Sequence, residues 1–166
     1  YKLFTNTPGE AARFVPSEVS CNNCHLNGGQ RERAMPLVAI SGAFPEYNRR
    51  AGRLISLNDR IVDCFLRSEN ATGRLELDAS GQPMVGPDAL PTPTSREVLA
   101  IAAYLAWISK GFEIGKNPAW RGQNTIPQPS LKPVAALDTA KGEAVYAEKC
   151  ASCHGADGQG VYIGDK

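Results

Sequence analysis

The residues best equipped for chemistry are Cys21-Asn22-Asn23-Cys24-His25 and Cys150-Ala151-Ser152-Cys153-His154. Cys-x-x-Cys-His is the attachment signature of c-type haem: two thiols bond the porphyrin and the adjacent histidine takes one face of the iron. Other uses of a Cys-x-x-Cys pair fit worse. A thioredoxin-like dithiol wants a surrounding βαβ pattern, and zinc wants both pairs close together with further ligands. Two copies in a chain with five cysteines predict two covalently bound haem c groups, held by Cys21, Cys24, Cys150 and Cys153.

Counting the remaining ligands is informative. The chain has two histidines, His25 and His154, and both serve as motif ligands, so neither iron can be bis-histidine within it. The sixth position falls to Cys64, Met35, Met84, a lysine or nothing. An unpaired cysteine is ordinarily a small buried hydrophobe. Cys64, however, sits on a helical pattern with Arg60 and Ser68 at i−4 and i+4, so the three share one face. Iron would deprotonate the thiol, a guanidinium would favour the anion further, and thiolate ligation would lower the haem potential where methionine raises it. Met84, in Gly81-Gln82-Pro83-Met84 shortly before a strong helix, is the rival. Spacing alone leaves Met84 and Cys64 even, and Met35, beside Pro36, reads as core.

Elements must position these groups. Thr7-Pro8-Gly9-Glu10 opens a short helix before Pro16, with proline tolerated in the first turn. Residues 26 to 43 read as loop wrapped on the first haem. Ser56-x-x-Asp59 is a capping box with Asp in place of Glu, and Leu57, Ile61, Cys64 and Phe65 follow at helical spacing. Residues 69 to 93, rich in Gly, Pro, Asp and Thr, predict a long loop. Thr94-x-x-Glu97 then opens the strongest helix, through Val98, Leu99, Ala102, Leu105, Ala106 and Ile108, with Lys110-Gly111 as its stop. Tyr104 and Trp107 on it read as core against haem or a neighbouring helix. Prolines between 116 and 135 predict a semi-rigid linker. Asp138 or Thr139 caps a last helix into the second motif, with Gly142 and Tyr146 spaced like the first helix of a class I cytochrome c.

The expected fold is therefore all-α: two class I-like cytochrome c domains, residues 1–115 and 136–166, joined by a Pro-rich linker at 116–135. Twelve residues after His154 are too few for a compact domain, so the second is expected to be truncated and its distal ligand to lie outside this sequence. Lys+Arg 18 against Asp+Glu 17 gives a net charge of +1, which implies no nucleic-acid partner. No apolar run approaches the roughly 18 residues of a membrane span. Haem attachment to this motif takes place outside the cytoplasm in bacteria, which predicts a removed export signal and a periplasmic home.

Cys21-Asn22-Asn23-Cys24-His25-Leu26-Asn27, Phe44-Pro45-x-Tyr47 with Arg49-Arg50, Leu57-x-x-Arg60-Ile61-x-x-Cys64 and Ser68-x-Asn70, in this order, resemble the dihaem thiosulfate dehydrogenase family over most of residues 1 to 115. The resemblance implies that Cys64 ligates the first iron opposite His25, and that Arg60, Ser68 and Arg50, with Arg49 as the alternative if the register slips by one, serve the active site. It implies the oxidative coupling of two thiosulfates to tetrathionate, in which arginines offset repulsion between two dianions. Electrons would leave through the second haem to a redox partner such as another cytochrome c. Two other readings stand beside it. One is a non-catalytic electron-transfer cytochrome with His25/Met84 ligation; the other resembles the haem subunit of the Sox system, which works with a carrier protein. One departure from the family pattern is Glu69-Asn70-Ala71, where the family tends to Met-Asn-Gly. An acid beside an anion site is unfavourable unless it points away.

Overall fold

The computed structural model describes residues 1–15, 17–71, 76–77, 83–84, 90–123 and 125–158, with backbone alone at 76, 77, 83, 84 and Cys153. It divides into two units, Tyr1–Arg121 and Gly122–Lys166.

Helices build the first unit. Two short ones, α1 (Lys2–Thr5) and α2 (Thr7–Glu10), precede the motif, which is itself a helical turn, α3 (Cys21–Cys24), running into α4 (Leu26–Gly29). Pro8 falls in the first turn of α2, where its missing N–H costs nothing. Ser20 opens the motif turn: its backbone N–H donates to the Asn23 side chain at 2.9 Å, and its hydroxyl accepts from the Thr7 N–H at 3.1 Å. Chain direction then changes sharply, because Asn27 and Gly28 both take left-handed backbone angles, φ 54 and φ 63. Gly28 is the position that demands glycine. A Cβ there would lie 2.6 Å from the Tyr104 hydroxyl, which donates to the Gly28 carbonyl at 2.8 Å.

An antiparallel hairpin follows, β1 (Glu46–Asn48) with β2 (Arg53–Ile55), in the register Glu46↔Ile55, Tyr47↔Leu54 and Asn48↔Arg53. The Asn48 side chain closes its turn by accepting from the N–H groups of Arg50 and Ala51 at 2.9 and 3.0 Å. A second hairpin, β3 (Glu76–Leu77) with β4 (Pro83–Met84), lies within the stretch expected to be loop. Both correct the all-α expectation. Strands of two and three residues are too short to show alternation, so only their turn residues were available to signal them.

Two long helices carry the core. In α5 (Leu57–Arg67) the capping box works with Asp as its acid: the Ser56 hydroxyl accepts from the Asp59 N–H at 3.1 Å, and Asp59 accepts from the Ser56 N–H at 2.8 Å. In α6 (Arg96–Ile108) the expected box is absent. Ser95 is the N-cap without a side-chain bond to the helix, and Glu97 instead receives a two-pronged contact from Arg13, at 3.0 and 2.6 Å. A guanidinium fork outcompetes one backbone N–H for a buried carboxylate. The two helices pack together around Ile61, Phe65, Val98, Ile101, Leu105 and Ile108, with Phe4, Phe14 and Val15 completing the core. Phe14 meets Phe65 edge-on at 6.2 Å. Tyr104 is buried as expected, but Trp107 is 68% exposed and does not join the core.

The first unit extends past 115 to Arg121, six residues into the expected linker. Gly115 donates its N–H to the Gly42 carbonyl at 2.7 Å, Trp120 Nε1 donates to the Val38 carbonyl at 3.2 Å, and Arg121 pairs with Glu46 at 2.7 Å. Gly42 leaves room for this strap, since a Cβ there would sit 2.7 Å from the Glu113 carbonyl.

In the second unit two 3-10 turns, Gln128–Ser130 and Val134–Ala136, lead to α7 (Thr139–Lys149) and α8 (Ala151–His154). Asp138 provides the cap, accepting from the Lys141 N–H at 2.9 Å. The space beside Gly142 is open, and the Tyr146 hydroxyl donates to the Gly155 carbonyl at 2.8 Å.

Candidate haem and substrate site

The first motif is held from several directions. Cys21 is half-buried: its N–H donates to the Thr7 hydroxyl at 3.3 Å and its thiol donates to Glu69 Oε1 at 3.3 Å. Cys24 is exposed, and Cys21, Cys24, Cys64 and Cys150 are all free thiols. His25 Nδ1 lies 2.6 Å from the Met35 carbonyl. A carbonyl only accepts, so Nδ1 carries the proton and Nε2 keeps its lone pair for a metal. Burial lowers the His25 pKa, the Met35 contact opposes that, and the Arg60 charge adds to it. Burial and the Arg60 charge favour the neutral imidazole that ligation needs, and the Met35 contact fixes its tautomer.

Met35 thus matters through its backbone. Its carbonyl reaches His25 because the residue sits in the left-handed region at φ 49. Its side chain is 44% exposed, which corrects the expectation that it belongs to the core. No sequence signal marks a left-handed methionine, although Pro36 directly after it restricts the chain.

Cys64 and Arg60, one turn apart on α5, are brought to this motif. Burial raises the Cys64 thiol pKa, Arg60 pulls it down, and the charges of Glu69, Asp63 and Cys24 push it up again. Arg60 acts on His25 as well as on Cys64, so one guanidinium influences both candidate ligands of the first iron. Ser68 is the exposed C-cap of the same helix and donates its N–H to the Cys64 carbonyl at 2.8 Å. Arg49 and Arg50 stand exposed on the turn between β1 and β2, directly ahead of α5. The Met84 side chain lies outside the described residues, and only its pairing with Glu76 is defined.

Glu69 is the residue whose importance the sequence obscured. It does not point away. Only 3% exposed, it turns its carboxyl to Cys21, while Oε2 is buried without a hydrogen-bond partner among the described residues. Burial pushes this carboxyl up to about 7, and the contacts with Cys21 and Thr7 hold it back. Burial first, and then Glu69, raise the Cys21 thiol pKa well above that of an ordinary thiol.

In the second unit the backbone of α8 carries the motif, with the His154 N–H donating to the Cys150 carbonyl at 3.0 Å. The Cys153 side chain and residues 159–166 lie outside the described residues. Paired thiols one helical turn apart, an imidazole with a free Nε2 and a buried orphan carboxyl oxygen beside one thiol fit covalently held haem at the first motif.

These features define a c-type cytochrome, and the comparisons with known proteins agree. Residues 11–114 match the family model for the SoxA/TsdA cytochrome c domain, and residues 139–165 match that for cytochrome c. The chain belongs to the SoxA/TsdA cytochrome c domain family. It is 34% identical to a thiosulfate dehydrogenase of Allochromatium vinosum over 99% of this chain and 54% of that protein. It is 32% identical to one of Stutzerimonas stutzeri over 98% of this chain and 46% of that protein. The chain thus spans about half the length of the curated relatives it matches. Among solved structures it resembles the thiosulfate dehydrogenase (TsdBA) of Marichromatium purpuratum in its as-isolated form. That match has a TM-score of 0.61 and 34% identity, and covers 98% of this chain and 32% of the other.

Proposed function

We propose that this chain is the haem-bearing part of a periplasmic oxidoreductase that couples two thiosulfates to tetrathionate at a first haem held by His25 and Cys64. Two electrons leave through a second haem, held by Cys150, Cys153 and His154, to an external cytochrome-type acceptor. The observation that carries this reading is the placement of Arg60 one turn before Cys64 on α5, with its charge felt at both Cys64 and His25. Thiosulfate dehydrogenases at 34% and 32% identity support the substrate class.

Haem, when bound, supplies one-electron redox chemistry at its iron. The chain's own residues do the rest. His25 presents Nε2, with its other nitrogen tied to Met35, so the ring cannot rotate away from the iron. Cys64 would supply a soft sulfur as the second ligand, and Arg60 favours the thiolate that ligation would require. Joining two thiosulfate dianions through a new S–S bond releases two electrons and brings four negative charges together. Arg60 and the exposed Arg50, with Arg49 beside it, supply planar donors that offset this repulsion. Ser68, exposed at the end of the Cys64 helix, offers a hydroxyl on the same face.

Steady-state reduction of an artificial acceptor by thiosulfate tests the proposal, with haem-loaded protein and Cys64→Ala side by side. Turnover that disappears in the variant is expected. Equal turnover in both proteins would remove Cys64 from the mechanism, and none in either would leave an electron carrier.

A further inference from the structure

Glu69 is wedged between the motif and the Cys64 helix. Its N–H donates to the Cys64 carbonyl at 3.2 Å, and its own carbonyl accepts from the Ser17 hydroxyl at 2.8 Å. These backbone ties fix where the side chain starts. The carboxyl then turns inward to the Cys21 thiol at 3.3 Å, leaving Oε2 buried without a partner among the described residues. A buried carboxyl whose thiol donor is weak and whose second oxygen has no partner among the described residues destabilises the fold unless something compensates, and such a group calls for a reason.

Haem attachment sharpens the point. When the Cys21 sulfur adds across a haem vinyl group, a carbon–sulfur bond forms and the thiol hydrogen ends on the neighbouring vinyl carbon. The thioether sulfur has no hydrogen left to donate. Glu69 would thereby lose its thiol donor, and its carboxyl, 3.3 Å from that sulfur, would be close to the group the sulfur holds.

We propose that Glu69 lowers the reduction potential of the first haem, acting as a buried acid held against the porphyrin edge by the Cys21 attachment. Reduced iron carries one positive charge fewer than oxidised iron, so a neighbouring carboxylate favours the oxidised form. The low dielectric of the interior strengthens that preference. Arg60, one turn before Cys64 on α5, carries the opposite charge and would work in the opposite sense. One acid and one base on the same stretch of chain, Glu69 and Arg60, would thus act on a haem at this motif in opposite senses. Glu69 would act as a tuning residue through its charge, distinct from the groups that meet substrate. The inference rests on the reading of His25 and Cys21 as the first haem's holders.

The test is an optical spectroelectrochemical titration of the haem-loaded protein at pH 9, resolved for the two haems, with Glu69→Gln and Glu69→Asp beside it. Glu69→Gln is expected to move the first midpoint upward and leave the second in place. Glu69→Asp, which keeps the acid, is expected to move it less. An unchanged first midpoint in Glu69→Gln would overturn the proposal. Should that variant fail to take up haem, redox-difference infrared spectra of the wild-type protein labelled with [13C]glutamate decide instead. A glutamate carboxyl band that follows the first haem's reduction supports the proposal, and its absence overturns it. Neither measurement needs a substrate, so missing thiosulfate turnover would sink the sulfur reading without touching this one.

Discussion

His25 and Met35 are joined ring to backbone: Nδ1 of the imidazole lies 2.6 Å from the Met35 carbonyl, ten residues along the chain. The contact depends on Met35 holding φ 49, a conformation that L side chains rarely adopt. Met35→Gly keeps the carbonyl in place and removes the side chain's objection, so unfolding midpoints in urea should change by less than about 1 kcal/mol in stability. Met35→Val, β-branched at the same angle, should cost about 1–3 kcal/mol and loosen the histidine. The two variants separate backbone need from side-chain need.

Gly28 and Tyr104 give the converse case. Gly28→Ala places a Cβ 2.6 Å from the Tyr104 hydroxyl at a backbone angle of φ +63. Thermal unfolding should show a loss of about 1–3 kcal/mol. Tyr104→Phe removes the bond to the Gly28 carbonyl and the hydroxyl's contact with Gln30, and should cost about 1 kcal/mol. Combining the two should cost less than their sum, because the second change removes the atom that the first collides with.

At the start of α5 the pH dependence follows from Asp59. Hydrogen bonds from Ser56 and Arg53 hold its pKa down from 3.8 to about 2. A carboxylate depressed in the folded state contributes stability that is fully present above 3.8 and is lost as pH falls toward 2. Asp59→Asn should flatten stability in that window, and Ser56→Ala should lower stability by about 1 kcal/mol near neutral pH. Chemical denaturation at a series of pH values checks both.

The strap makes a kinetic prediction. Arg121→Ala removes the pairing with Glu46, and Trp120→Ala removes both the Val38 hydrogen bond and the edge contact with Phe112 at 5.8 Å. Limited proteolysis should then cut between residues 113 and 121 several-fold faster, with the rest of the first unit resisting as before. Equal cutting rates in wild type and variants would mean that the strap opens regardless of these contacts.

Much of the site was legible because spacing writes it directly. The two motifs, the shared face of Arg60, Cys64 and Ser68, and the Ser56 and Asp138 caps need only helical periodicity and local chemistry. The rest depends on where the chain goes in space. Glu97 looked like a capping acid until Arg13, 84 residues away, claimed it. Met35 acts through a carbonyl, which no residue type encodes, and Trp107 is exposed although its neighbour Tyr104 is buried. Glu69 stood out as an acid in an awkward place. Its partners, however, are remote: Cys21 meets its carboxyl from 48 residues away and Ser17 its carbonyl from 52. The hairpins escaped because strands of two and three residues are set by their partners and not by any pattern of their own.

The most direct measurement of the account is the electron paramagnetic resonance spectrum of the oxidised, haem-loaded protein, compared with Cys64→Ala and Met84→Leu. Thiolate opposite His25 predicts a low-spin signal for the first haem that vanishes in Cys64→Ala and survives in Met84→Leu. A signal indifferent to Cys64→Ala and lost in Met84→Leu would place methionine on the iron and contradict the catalytic reading of Cys64.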